Sequence, residues 1–89
     1  MIPTEITFPR PILTSTLFDK DKVLVDHVID TVMVSSVEEC SRKCFSTRSC
    51  VSINFDYLAQ NMKTCEVNNS TKELAEESFV KRHGFVYYG

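Results

Sequence analysis

Two glycines and no tryptophan stand among 89 residues, and all three prolines (Pro3, Pro9, Pro11) fall within the first eleven. So few glycines exclude a glycine-rich phosphate loop, whose tight approach to a ligand needs several of them. No apolar run nears the roughly 18–20 residues that cross a bilayer as a helix. Charge of one sign is also lacking: ten Lys and Arg against twelve Asp and Glu leave −2. That balance gives no general attraction to nucleic acid or to anionic membranes, and no direct membrane insertion is expected. The opening "MIPTEITFPRPILTS" has no basic region followed by an apolar stretch, so it does not read as a signal peptide. As an extracellular protein the chain would then be a mature fragment or an excised piece of a longer one, and Met1 could be an introduced start.

Histidine is scarce as well. His27 and His83 are the two present, and neither has a catalytic context around it. No nucleophile stands beside a base and no carboxylate pair marks a cleft, so the chain reads as no enzyme, with no cofactor and no metal site.

What is present is an ordinary globular composition, 43% hydrophobic and 25% charged. A domain this small buries only roughly 60–65% of the surface its unfolded chain exposes, so its core needs reinforcement. Residues 1–16 read as an extended lead-in, in which "ITF" (6–8) can pair at a sheet edge, and 17–89 as a single domain. "DKDK" (19–22) starts like a calcium loop, but Leu24 and Asp30 stand where glycine and glutamate are needed. It reads as an exposed charged turn. In "KVLVDHVIDTVMV" (22–34) seven of thirteen residues are β-branched, which favours one or two strands over a helix.

The pattern then changes period. Ser35 and Ser36 each have a glutamate three residues on, Glu38 and Glu39, the arrangement of a capping box. Val37, Cys40 and Cys44 follow at helical spacing, and the spacing predicts a helix over roughly 36–46. "CVSINFDYL" (50–58) alternates, with Val51, Ile53, Phe55 and Tyr57 against Ser52, Asn54 and Asp56, as a half-buried strand does. "TCEV" (64–67) reads as its partner, "NNSTKELAEES" as a polar loop with a helical turn near 72–76, and "SFVKRHGFVYY" as a last strand interrupted by Gly84. The expected fold class is α+β: one helix packed on a small, largely antiparallel β-sheet.

The four cysteines, Cys40, Cys44, Cys50 and Cys65, are spaced C-x3-C-x5-C-x14-C. Zinc knuckles want paired C-x2-C and redox sites C-x-x-C, and neither is present. An even count in a small domain fits two disulfides. Pairing Cys40 with Cys44 would close almost no loop. Of the two other pairings, the nested one, Cys40–Cys65 with Cys44–Cys50, suits the elements best. Cys44 at the helix end reaches Cys50 across a short turn, and Cys40, one turn earlier, faces the returning strand.

The run "SSVEECSRKCFSTRSCVSINFDYLAQNMKTCEV" resembles the PAN/apple family of extracellular modules: a capped helix with C-x3-C, then "CVSINFDY", then "CEV". The resemblance implies the same nested pairing, within a fold stapled by those two disulfides. Apple domains add a third bridge between the termini; its two cysteines are absent here, so the chain is nearer the four-cysteine PAN form, with looser ends. The family implies a non-catalytic extracellular binding module for a protein or glycan ligand, set within a larger secreted or membrane-anchored protein. A purely structural spacer with no ligand of its own is the alternative.

Several surface features remain. "NNST" (68–71) holds overlapping glycosylation sequons at Asn68 and Asn69. Arg42, Lys43 and Arg48 gather at the helix end and could meet a sulfated glycan or an acidic partner, as could Lys81, Arg82 and His83. A solvated surface accounts for these charges as well. The aromatics Phe55, Tyr57, Phe79, Phe85, Tyr87 and Tyr88 read as core and sheet faces, and one or two of the terminal tyrosines could be exposed and available to a ligand.

Overall fold

A computed structural model describes residues 18–89; the lead-in expected at 1–16, with its "ITF", lies outside the described residues. Five strands and one helix follow in the order β1 (Phe18–Leu24), β2 (Val28–Val34), α1 (Val37–Ser46), β3 (Ser52–Asp56), β4 (Lys63–Asn68) and β5 (Phe79–Tyr88). They form one sheet ordered β1-β5-β3-β4-β2, with every neighbouring pair antiparallel. The one-helix, antiparallel-sheet fold expected from the sequence is the one observed.

The helix begins as its residues dictate. Ser36 is the N-cap, its Oγ accepting from the Glu39 N–H at 3.3 Å. Glu39 reaches back one residue further than a capping box requires, its Oε1 accepting from the Ser35 N–H at 2.7 Å. The helix buries Cys40, Ser41 and Cys44 and keeps Glu38 and Arg42 in water. Cys40 is bonded to Cys65 of β4 and Cys44 to Cys50 just before β3, with Cα separations of 5.5 and 5.3 Å. Around them Val34, Ile53, Phe55, Val67 and Val86 complete the core beneath the helix.

Two expectations need correction. "DKDK" is not a turn but part of β1, where Asp19 pairs with Tyr87 and Lys20 with Val86. An edge strand tolerates such charge because one side faces water. Its charges are also placed: Asp19 ion-pairs with Lys72, and the Lys20 and Lys22 ammoniums lie 5.4 and 5.1 Å from the Tyr57 and Phe79 ring centres. The second correction concerns β3. Ser52 and Asn54, on the parity expected to be wet, are both 0% exposed. Both faces of this strand are covered.

The cover on the far face comes from a bend. Between Lys20 and Lys22 a single residue, Asp21, stands against 82–85 of β5, with Asp21 at φ 61° and Gly84 at φ 93°. Such a bulge bends both strands. The later half of β1 thereby folds across the sheet, and its last residue is caught by the central strand. Asn54 Oδ1 accepts from the Leu24 N–H at 3.0 Å, and Asn54 Nδ2 donates to the Leu24 carbonyl at 2.8 Å and to Glu66 Oε1 at 2.9 Å. A short passage, 25–27, then carries the chain to β2 on the opposite edge. Leu24, Ala75 and Tyr87, with Phe79 packed against them, make a second, smaller core there.

Candidate functional site

The bend that buries Asn54 also leaves a hollow on the far face. The segment after β4 turns back over the sheet and ends in a 3-10 turn, Glu76–Ser78, fixed where the Val25 N–H donates to the Ser78 carbonyl at 2.9 Å. Between this segment and the rings of β5 lies a cleft of about 250 Å³ lined by Lys72, Glu73, Glu76 and Phe79. A smaller, more enclosed hollow of about 130 Å³ adjoins it, lined by Phe18, Asp19, Tyr87 and again Lys72 and Glu73.

Lys72 sits on the ridge between the two. Its ammonium pairs with Asp19 Oδ2 and lies 5.6 Å from the Phe79 ring centre and 6.0 Å from that of Tyr87. Its main-chain N–H donates to the Tyr87 hydroxyl at 3.0 Å, which holds the segment down on the sheet. The bond to Asp19 raises the Lys72 pKa above its ordinary value, against the opposing effect of burial. The ammonium is therefore charged at any physiological pH. Burial likewise raises the Tyr87 hydroxyl, which stays neutral. Phe79 meets Tyr87 edge to face, centroids 5.1 Å apart, and gives the cleft a rigid apolar wall. Glu73 and Glu76 are exposed carboxylates that form no ion pair among the described residues. The arrangement sets an ammonium, two carboxylates and an aromatic wall around one cleft.

Of the residues singled out in the sequence, Phe79 and Tyr87 come to this place, and the basic candidates for ligand contact do not. Lys43 is spent on Asp30 of β2, at 3.0 Å, and holds that carboxyl below its ordinary pKa. Arg42 and Arg48 remain exposed near the end of the helix. Arg82 reaches Glu66 at 3.7 Å and packs over Phe85, which sets it on the face away from the helix. His83 lies 3.5 Å from Asp21, whose carboxylate also accepts from the Gly84 N–H and the Tyr57 hydroxyl; those two bonds above all lower its pKa.

A family model described as the PAN domain matches residues 18–89. The chain belongs to the PAN domain family. PAN domains are modules of protein and carbohydrate interaction, generally non-catalytic, and typically extracellular when disulfide-bonded. Neither the curated proteins nor the solved structures searched gave a match to the chain.

In this PAN domain the two sequons are not equivalent. Asn68 is 0% exposed and its Nδ2 donates to Ser52 Oγ at 3.0 Å, so the amide nitrogen a glycan would need is already engaged inside. Asn69 is exposed, and its N–H is bound to the His27 carbonyl. Sequence reasoning passed over Lys72, Glu73 and Glu76, which lie in a polar stretch without periodicity. Only the pairing of β1 with β5 brings Asp19 to Lys72, and nothing local in either segment announces it.

Proposed function

We propose that this PAN domain is a non-catalytic extracellular binding module, one unit of a larger secreted or membrane-anchored protein, that takes a protein or glycan ligand. The family match over 18–89 carries this reading. The cleft beside Phe79 supports it as the contact region. Arg42 and Arg48 form a second, purely electrostatic contact region; Lys43, already paired, contributes less.

The test is binding of the folded domain to a glycan array and to a panel of secreted ectodomains, at low and moderate salt. The expected result is a signal that survives moderate salt and falls at least about tenfold in a Glu73→Ala/Glu76→Ala variant. An Arg42→Ala/Arg48→Ala variant should lose only the salt-sensitive part. Silence on both panels would leave a structural spacer as the role.

We further propose that Asn69 is the glycan acceptor in a eukaryotic secretory pathway. Asn69→Gln should then remove the mass shift that a peptide N-glycosidase removes, whereas Asn68→Gln should leave it and lower stability. A shift that persists in Asn69→Gln contradicts the assignment.

A further inference from the structure

The cleft's charges say what kind of ligand fits. We propose that the two adjoining hollows form one site for a short neutral sugar, one ring against Phe79 and the next beyond the Lys72–Glu73 ridge. This rests on the binding-module reading and narrows it.

Consider first an acidic ligand, such as a sulfated glycan. Lys72 is already neutralised by Asp19, while Glu73 and Glu76, at the cleft, have no ion-pair partner among the described residues. A sulfate or carboxylate there would face the Glu73 and Glu76 carboxylates, and of the two ammoniums beside Phe79 that of Lys72 is already answered by Asp19. A cationic side chain fares no better. The Phe79 ring that would receive it already has the ammoniums of Lys22 and Lys72 at 5.1 and 5.6 Å. Like charges so close in a partly enclosed site oppose binding strongly.

A neutral polyhydroxyl ligand meets neither objection. Its hydroxyls donate to the Glu73 and Glu76 carboxylates and accept from the Lys72 ammonium, and charged partners make those hydrogen bonds strong. Its C–H face lies on the Phe79 ring. Size points the same way. About 250 Å³ is below the roughly 300 Å³ where pockets for drug-sized ligands begin, and suits a single ring. The second hollow, about 130 Å³, shares Lys72 and Glu73 with the first, so a ligand of two linked rings can use both. A ligand this small binds weakly, with a dissociation constant of about 1 mM for one ring and tighter for two.

The experiment is titration of the ¹⁵N-labelled, oxidised protein with a set of neutral disaccharides, a heparin disaccharide and trilysine, followed by amide shifts. At least one neutral disaccharide is expected to shift the amides of Lys72, Glu73, Glu76 and Phe79 in a saturable way. Neither charged probe should. In a Glu73→Gln/Glu76→Gln variant, which keeps hydrogen-bonding oxygens but no charge, the neutral ligand should still bind at the same amides, about three- to tenfold more weakly than to wild type. The same variant should now admit the heparin disaccharide at these amides. The spectrum of each variant reports its own folding, and a Glu73→Gln single variant serves if the double one does not fold. Saturable shifts at this cleft from heparin or trilysine with the wild-type protein overturn the proposal. So do neutral-sugar shifts located elsewhere, or none from any probe. A cleft silent to sugars, beside a domain that still captures an ectodomain partner, sinks this inference alone; silence everywhere sinks the broader reading too.

Discussion

Replacing Cys40 and Cys65 together with alanine is expected to lower the melting temperature by about 15–25 °C, the largest loss from any single contact in the fold. The bridge closes a separation of 25 residues, against 6 for Cys44–Cys50. On the chain-entropy account the longer loop contributes about 3.5 kcal/mol and the shorter about 2.4 kcal/mol. All four sulfurs are buried, so the cavities left by alanine are similar and the difference between the pairs reflects loop closure. The position matters as well as the length. Cys40–Cys65 ties the helix to β4, the strand that alone holds β2 in the sheet. Against a total of roughly 5–10 kcal/mol, its removal leaves a domain partly unfolded at body temperature. Denaturant midpoints of the two alanine pairs, measured without reductant, decide this. Equal losses, or a larger one for Cys44 and Cys50, would count against it.

The second large effect is expected at Asn54. Its side chain serves both main-chain groups of Leu24 and also bonds Glu66, with no exposed surface. Asn54→Ala leaves a buried N–H and a buried carbonyl without partners, at a cost of about 2–4 kcal/mol. Asn54→Asp is nearly the same shape and should be worse at neutral pH. A carboxylate there would face the Leu24 carbonyl, Glu66 and Asn68 Oδ1, all acceptors. Burial and these neighbours raise the pKa of the introduced acid above its unfolded value. The folded state then binds the extra proton more tightly, so the defect is full above the folded pKa and shrinks as pH falls toward the unfolded one. Melting curves of Asn54→Asp between pH 7 and 4 should approach wild type as the pH drops. A gap that is constant with pH would remove Asn54 from this role.

The parts of the fold that local chemistry dictates were legible in the residues. Ser36 with Glu39 marks the helix start, Cys40 and Cys44 its buried stripe, and the alternation of Ile53, Phe55 and Tyr57 a central strand. The nested cysteine pairing followed from those elements. What escaped was decided across long separations. Asp19, Lys20 and Lys22 look like a turn until Tyr87, Val86 and Lys81 are set beside them. Ser52 and Asn54 look wet because alternation assigns them to water, and only the folding-over of Leu24 covers them. The cleft shares this origin: Lys72 takes its place from Asp19, 53 residues earlier, a contact no window of sequence contains.

The position of β1 sets the order in which the molecule can assemble. Phe18 pairs with Tyr88, seventy residues later (88 − 18), and β1 holds no other place in the sheet. As the chain emerges during synthesis, the helix with its short Cys44–Cys50 loop can form first, and β4 can then present Cys65 to Cys40. Through all of this β1 must wait, its apolar Val23 and Leu24 uncovered until the last strand arrives. The lysines and aspartates of 19–22 fit that interval: they keep a strand without a partner soluble and unattractive to other edges. Pairing of β1 with β5 is thus expected late in folding, with the bond of Leu24 to Asn54 holding the strand in place.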